Sequence, residues 1–168
     1  MRCVGGVIVI FLVAALVVFF DQFVKWIVVT HMAVNQAIPV IPGILEWLYI
    51  QNRGAAFSML LNQRALLIGI ALVVVAAIIY ANRTYARGKR SLQIALGCLM
   101  GGATGNLLDR ILHGYVIDYI YVSVIHYPVF NIADSAIVLS VFYMVWRAWF
   151  RKESTSSVAE NAEEVHSD

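Results

Sequence analysis

Four long apolar segments dominate the pattern of hydrophobic and polar positions along the chain. They extend over residues 4–20, 65–81, 92–108 and 132–150. At about 1.5 Å of rise per helical residue, each segment comes close to the thickness of the hydrocarbon core of a bilayer, allowing for tilt and interfacial ends. The pattern predicts an all-α membrane protein with four transmembrane helices.

Basic residues cluster at the start of the chain, between the second and third segments, and after the fourth. They are Arg2, Arg83, Arg87, Lys89, Arg90, Arg147, Arg151 and Lys152. By the positive-inside rule, this placement predicts that both termini and the connection between the second and third helices are cytoplasmic. Residues 21–64 and 109–131 are then the two outer loops.

Three further stretches refine this topology. The first segment resembles a signal peptide, but it has no small-x-small cleavage site, which favours an uncleaved helix. Residues 34–42 contain two prolines and residues 45–51 are rich in aromatic and β-branched side chains, so we expect a small extracytoplasmic β-element. Residues 1–152 form the predicted membrane domain. The Ser-, Ala- and Glu-rich residues 153–168 predict a disordered cytoplasmic tail.

Composition agrees with a membrane protein and argues against several functions. The chain is 61% hydrophobic and 13% charged, whereas soluble chains are roughly 45–50% apolar and about 25% charged. Its net charge of +2 is too small and too dispersed to indicate nucleic-acid binding. The four histidines are scattered without ligand spacing, so a metal site is not predicted.

Two aspartates stand out because each occurs in a short polar motif near the outer end of an apolar segment. Asp118 lies between apolar residues, and Asp134 lies at the start of the fourth segment. An ionisable carboxyl at such a depth is costly, so function is its default explanation. Asn131 is a candidate N-cap for the fourth helix, and helix capping alone would also explain Asp134.

Other polar residues surround these aspartates along the sequence. Asp21 and Lys25 are four apart, so a helix that continues past residue 20 would pair them on one face. Asn52 and Gly54 indicate a turn that brings the backbone close to a partner, although an ordinary loop is the simpler interpretation.

The end of the third apolar segment combines glycines with polar residues. Gly101 and Gly105 form a G-x-x-x-G pair, which permits close helix packing without any catalytic role. Asn106 and Arg110 are four apart and share a helix face. Asp109 and Arg110 are equally compatible with a solvated helix end.

Together these motifs resemble those of the lipoprotein signal peptidase family, also called signal peptidase II, of bacterial inner membranes. The matching stretches, in family order, are Asp21-Gln22 with Lys25, residues 52–57, 101–110, 116–120 and 130–135. The departures are Arg53, at a variable position of the motif, and Tyr119, where Phe is common. Both bear on details of substrate fit and leave the carboxyls unchanged.

The resemblance implies an aspartyl endopeptidase that needs no metal or cofactor, with Asp118 and Asp134 as its catalytic pair. Its implied partners are membrane lipid and a diacylglyceryl-modified prolipoprotein, which it cleaves just before the lipidated cysteine at the periplasmic side of the inner membrane. The family is inhibited by globomycin and has four transmembrane helices with a small β-cradle. The implied supporting residues are Asp21, Lys25, Asn52, Gly54, Asn106, Arg110 and Asn131.

Two other functions fit parts of the sequence. A small proton-coupled transporter would also place acids within the membrane, but the polar residues gather at one side and no paired repeats are visible. A membrane scaffold would use the glycine-rich helix to bind a partner, but it leaves the two aspartates without a role.

Overall fold

The computed structural model describes residues 2–54 and 60–165. In this part of the chain, four helices and three strands follow one another, with a 3-10 turn at Ser123–Ile125. They are α1 (Arg2–His31), β1 (Ala37–Ile41), β2 (Leu45–Asn52), α2 (Arg64–Thr84), α3 (Arg90–Leu112), β3 (Val116–Val122) and α4 (Ile132–Val165). The sheet lies at one end of the helix bundle, which we call the sheet end. The other end, where residues 85–89 connect α2 to α3, is the basic end.

Three helices within the described residues are long and apolar enough to cross a membrane. They are Ile8–His31, Arg64–Thr84 and Ile132–Phe150. The chain is therefore a multi-pass membrane protein. Helix α3, which the sequence predicted as a further span, has 23 residues but is less apolar than α1 and α2. It packs against α1, α2 and α4, so glycines and polar side chains replace the apolar residues that lipid contact would require.

Several element boundaries differ from the sequence predictions. Helix α1 continues to His31, so residues 21–31 are helical rather than part of an outer loop. Helix α3 likewise extends to Leu112, beyond the predicted end at residue 108. The end of α1 contains no Gly or Pro, and its Val28 packs against the sheet.

Helix α4 continues to Val165, through most of the segment predicted as a disordered tail. That segment contains neither Gly nor Pro and is rich in Ala and Glu, which are strong helix formers. The last three residues of the predicted tail, 166–168, lie outside the described residues.

Glycines on one face of α3 allow α1 to approach closely, as the G-x-x-x-G pattern predicted. A Cβ added at Gly101 would lie 2.6 Å from the Cβ of Val17 and 2.9 Å from the carbonyl oxygen of Ala14. One turn further, a Cβ at Gly105 would lie 2.6 Å from Asp21 Oδ2. These distances are shorter than carbon contacts allow, so backbone packing of α1 on α3 requires glycine at both positions.

The three strands form an antiparallel sheet in the order β1-β2-β3. Strand β2 confirms the strand predicted at residues 45–51, whereas β3 was not predicted. Trp47 pairs with Ile120 and Ile50 pairs with Asp118, so β2 carries one extra residue between these two pairs. Such a bulge bends a strand and redirects side chains beside it. Here it lies next to Asp118.

Strand β3 is also held against the chain segment that enters α4. The N–H groups of Tyr119 and Ile120 donate to the carbonyl of Phe130, and the N–H of Phe130 donates to the carbonyl of Ile120 at 3.0 Å. Asn131, the next residue, is thereby placed beside the middle of β3. The fold thus brings the start of α4 next to Asp118, although the two are far from adjacent in sequence.

The glycine packing gives a direct test of this architecture. We expect Gly101→Ala to lower the free energy of unfolding by about 1–3 kcal/mol, because its added methyl overlaps Val17. Thermal unfolding of the detergent-solubilised protein measures the effect. The matched control is Gly69→Ala on α2, whose added Cβ meets nothing within 4 Å, and we expect it to be neutral or stabilising. Equal midpoints for both variants would contradict the close α1–α3 packing.

Candidate active site

Asp118 and Asp134 come from different elements and meet on either side of one asparagine. Asn131 Nδ2 donates to Asp118 Oδ1 at 2.7 Å, and the backbone N–H of Asn131 donates to Asp134 Oδ2 at 3.2 Å. Asn131 is itself completely buried. The two carboxyls that the sequence singled out are therefore joined through a single residue.

Asp134 belongs to a reciprocal cap at the start of α4. Asn131 Oδ1 accepts the N–H of Asp134 at 2.9 Å, which confirms the predicted N-cap. The bond from the N–H of Asn131 to Asp134 Oδ2 completes a capping box, with Asp in the position usually held by Glu. The other carboxyl oxygen, Oδ1, accepts from Asn106 Nδ2 at 2.7 Å. Capping thus fixes the orientation of Asp134 and still leaves it facing a cavity.

Asp118 is held in β3 with only 2% of its surface exposed. Asn52 Nδ2 donates to its Oδ2 at 2.8 Å, opposite the bond from Asn131. Burial, together with the nearby Asp134 carboxylate, raises the pKa of Asp118 to about 7. The amide donors of Asn52 and Asn131 act against this rise. A buried carboxyl with this pKa is half protonated near neutral pH.

Asn52 and Gly54 form a turn beside Asp118. Asn52 Oδ1 accepts the N–H of Gly54 at 2.9 Å, and Arg110 Nη2 donates to the carbonyl of Gly54 at 3.0 Å. Arg110 also donates from Nη1 to the carbonyl of Asn106 at 3.1 Å. The loop predicted at this point is therefore tied to α3. The remainder of its motif, residues 55–57, lies outside the described residues.

Lys25 lies at the centre of a second buried network beneath the carboxyl pair. Its Nζ is 2.8 Å from Asp21 Oδ2 and 2.8 Å from Asp109 Oδ2, and it donates to Asn106 Oδ1 at 3.2 Å. The predicted pairing of Asp21 with Lys25 is confirmed. Asp21 Oδ1 also accepts the N–H of Ala133 at 3.0 Å. This network links α1 to α3 and to the first turn of α4.

Asp109 was not among the predicted site residues, because its position at a helix end was equally compatible with solvent exposure. The structure buries it completely. Besides contacting Lys25, it accepts the N–H of Ile117 at 3.1 Å and an amide N–H of Gln22 at 2.9 Å. The sequence did contain a signal: residues 97, 101, 105 and 109 repeat every four positions, so Asp109 extends the glycine face of α3.

A cavity of about 820 Å³ opens between the sheet, α3 and α4. Its polar lining includes Asn52, Asn106, Arg110, Asp118 and Asp134. Its apolar lining includes Leu61, Pro128, Val129, Phe130, Ile137 and Val138. Its volume lies within the range that accommodates a peptide segment or a drug-sized ligand. Two coupled carboxyls that share a proton can polarise a water molecule as base and acid.

No group of three or more His, Cys, Asp and Glu within the described residues is arranged to hold a metal ion. The carboxyl oxygens of Asp118 and Asp134 accept hydrogen bonds from side-chain amides and a backbone N–H. The two side chains therefore form a hydrogen-bonded carboxyl pair.

Comparison with known proteins points to one family. The family model described as Signal peptidase (SPase) II matches residues 13–150. A lipoprotein signal peptidase of Listeria monocytogenes serotype 4a is 41% identical over 137 residues, covering 80% of this chain and 89% of the relative. That of Anoxybacillus flavithermus is 35% identical over 163 residues, covering 96% of this chain and 97% of the relative.

Solved structures show the same fold. A bacterial membrane enzyme determined by the in meso method at 2.3 Å resolution superposes with a TM-score of 0.80 at 33% identity, covering 86% of this chain and 88% of that chain. A second, at 1.9 Å resolution, has a TM-score of 0.76 at 34% identity, covering 82% and 90%. Because the family model spans most of the chain and includes both buried networks, this protein belongs to the signal peptidase II family of membrane proteases.

Proposed function

We propose that this protein removes the signal peptide from diacylglyceryl-modified prolipoproteins, cleaving just before the lipidated cysteine. Asp118 and Asp134 are its catalytic residues. The observation that carries the proposal is the bridging of both carboxyls by Asn131 at the edge of one cavity. Membership of the signal peptidase II family supports the reaction and the substrate class.

In this mechanism the carboxyl pair activates a water molecule without a cofactor. The ionised partner removes a proton from the water, whose oxygen attacks the scissile carbonyl carbon. The protonated partner donates to the developing oxyanion, and a proton then passes to the leaving amine as the peptide bond breaks. The two aspartates end the cycle with one proton between them, as they began.

We assign the resting proton to Asp118 and the base role to Asp134. Asp134 lies at the N-terminus of α4, where the helix dipole favours a negative charge. Its oxygens also accept from Asn106 Nδ2 and from a backbone N–H. Asp118 lies on a strand, away from a helix N-terminus, and burial raises its pKa to about 7. The proton therefore resides on the carboxyl with the higher proton affinity.

The supporting residues position the two aspartates. Asn52 and Asn131 hold the two oxygens of Asp118, and Asn106 holds Asp134. The remaining residues of this supporting set, which act on the surrounding backbone and charge, are Asp21, Lys25, Gly54 and Arg110. Arg110 also lines the cavity and offers a cation to a substrate carbonyl or lipid phosphate.

The membrane setting suits a lipidated substrate. The wall of the cavity formed by Ile137 and Val138 is part of α4, whose apolar surface continues into the membrane-crossing segment. Acyl chains can then remain in the bilayer while the peptide reaches the carboxyls. We further propose four spans, with α3 as the fourth, cytoplasmic termini, and the site at the periplasmic side of the bacterial inner membrane, where globomycin would bind.

Replacing either aspartate tests the catalytic assignment. We expect Asp118→Asn and Asp134→Asn each to reduce cleavage at least about a hundredfold, since each removes one half of an acid–base pair. Cleavage of a lipidated prolipoprotein by the purified variants measures this effect, and precursor accumulation in cells provides a second readout. The matched control is Glu46→Gln, which replaces a different carboxyl of the sheet and should retain activity.

Normal processing by either correctly folded aspartate variant would refute the proposed pair. Reconstitution in proteoliposomes separates this function from proton-coupled transport. Substrate flux without peptide cleavage would favour transport.

The pKa of Asp118 predicts an alkaline limit to activity. Below about pH 7 Asp118 keeps its proton, and above it both carboxyls are ionised and no acid remains, so kcat/KM should fall as pH rises through about 7. Asn52→Ala removes a donor that lowers this pKa, so the alkaline limb should move to higher pH. The measurement is kcat/KM as a function of pH for Asn52→Ala, wild type and Glu46→Gln. A limb that stays in place or moves to lower pH would contradict the assignment of the proton to Asp118.

The buried Lys25 network predicts a large loss of stability when its cation is removed. We expect Lys25→Met to lower the free energy of unfolding by about 3–5 kcal/mol, because Asp21 and Asp109 would remain buried without their counter-charge. Thermal and denaturant unfolding in detergent measure the loss. Lys89→Met is the control, because Lys89 is half-exposed at the basic end and its side chain donates to the backbone carbonyl of Tyr85 rather than to a buried carboxylate. A similarly small effect for both variants would mean that Lys25 does not support the bundle.

A further inference from the structure

A second cavity lies between α3 and α4, away from the carboxyl pair. It has a volume of about 520 Å³ and an almost wholly apolar lining. Its α3 wall consists of Ser91, Ile94, Ala95 and Cys98, and its α4 wall of Ile132, Ser135, Ala136, Leu139, Ser140 and Tyr143. None of these residues lines the cavity that contains Asp118 and Asp134. We call this second cavity the α3–α4 groove.

The groove has the shape of a channel along the helices. Its α4 wall repeats at intervals of three and four residues from Ile132 to Tyr143, which is about 16 Å of helix. A chain that starts beside Arg147 and covers about half of a roughly 30 Å hydrocarbon core would occupy the part of the groove from Tyr143 to about Ala136. Small side chains such as Ala95, Ala136 and Ser140 form much of its floor. The groove therefore suits a narrow, flexible apolar chain better than it suits another helix.

A cation stands at the basic end of the groove. Arg147 Nη1 donates to Ser91 Oγ at 3.1 Å and to Tyr143 Oη at 3.4 Å, so its guanidinium is held beside two groove residues. Among the described side chains, the ion pairs are those of Lys25 at the other end of the bundle. Within that part of the chain, Arg147 is held by neutral partners at the groove mouth and forms no ion pair.

The surrounding charges select an anionic occupant. Between residues 64 and 152, the acidic residues are Asp109, Asp118 and Asp134, all of which belong to the sheet end, and the next acid, Glu153, follows Arg151 and Lys152. The basic end carries Arg83, Arg87, Lys89 and Arg90 in addition to Arg147. A parallel second copy would therefore bring cations against cations. Basic pockets between membrane helices are typical sites for anionic lipid headgroups.

The acidic residues of α4 beyond Arg147, from Glu153 to Glu164, are not suitable occupants. Helix α4 continues without a break from Arg147 to Val165. At about 1.5 Å per residue, this helix carries Glu160 roughly 20 Å beyond Arg147. A continuous helix cannot fold back to fill its own groove.

We propose that the α3–α4 groove binds an anionic phospholipid of the leaflet at the basic end. One acyl chain lies along the groove, and the headgroup phosphate accepts hydrogen bonds from Arg147, Ser91 and Tyr143. This site is separate from the proposed peptidase site, so it does not depend on the catalytic assignment. Its occupant would fill the gap between the two helices that carry Asn106 and Asp134.

Native mass spectrometry of the full chain in detergent tests the proposal. The probes are dioleoyl phosphatidylglycerol and dioleoyl phosphatidylcholine, which have matched acyl chains. We expect phosphatidylglycerol to bind more tightly, and Arg147→Gln to weaken its binding about fivefold. Arg83→Gln removes a charge at the same end but not at the groove, and should change the affinity less than twofold.

A second variant separates the acyl chain from the headgroup. Cys98→Leu fills the groove and should weaken binding of both lipids, whereas Ala76→Leu adds the same kind of volume to the exposed face of α2 and should not. If Cys98→Leu fails to fold, the difference in phosphatidylglycerol affinity between Arg147→Gln and Arg83→Gln decides by itself whether the groove binds the lipid.

Three results would overturn the proposal. The first is equal affinity for the two lipids, or an Arg147→Gln variant that behaves like Arg83→Gln. The second is inorganic phosphate that displaces phosphatidylglycerol at equal concentration, which would mean that the acyl chain adds nothing. The third is a lipid-free dimer that Cys98→Leu dissociates, which would assign the groove to a second copy of the chain.

Discussion

Burial of carboxyl groups in a membrane protein is the constraint on which this structure depends. Asp21, Asp109 and Asp118 are almost wholly inaccessible, and Asp134 lies beside them. Removing such charges from water costs several kcal/mol each unless cations and hydrogen-bond donors replace the solvent. Lys25 supplies the cation to the first two, and buried amides supply donors to the others. The packing of α1, α3, β3 and α4 follows from the need to bring these groups together.

Asn106 and Asn131 transmit that constraint from Lys25 to the carboxyl pair. The oxygen of Asn106 accepts from Lys25 Nζ and from Asn131 Nδ2, so its own Nδ2 must face the other way, towards Asp134. Asn131 in turn directs Nδ2 towards Asp118, while its oxygen caps α4. Each amide therefore has one orientation that satisfies all of its partners. Removing Lys25 would release the orientation of the Asn106 amide and, through it, that of the Asn131 amide.

The sequence predicted the parts of this arrangement that depend on local spacing. Asp21 with Lys25, the Asn131 cap, and the close packing at Gly101 all follow from positions three or four apart on a helix. It did not predict β3 or the role of Asp109, because both depend on contacts with distant segments. The N–H of Ile117 reaches Asp109 only after the chain turns back beyond α3. The length of α1 was underestimated for the same reason, since Val28 is stabilised by packing on the sheet rather than by propensity.

Helix capping and catalysis are compatible roles for Asp134. The cap uses the backbone N–H of Asp134 and one carboxyl oxygen, and it fixes the side chain at the positive end of a helix dipole. That position favours the ionised form, which is the form a general base must have. Asp118 lies on a strand and lacks this dipole, and burial raises its pKa. In the proposed mechanism, two chemically identical side chains thus take different roles, because one begins a helix and the other lies in a bulged sheet.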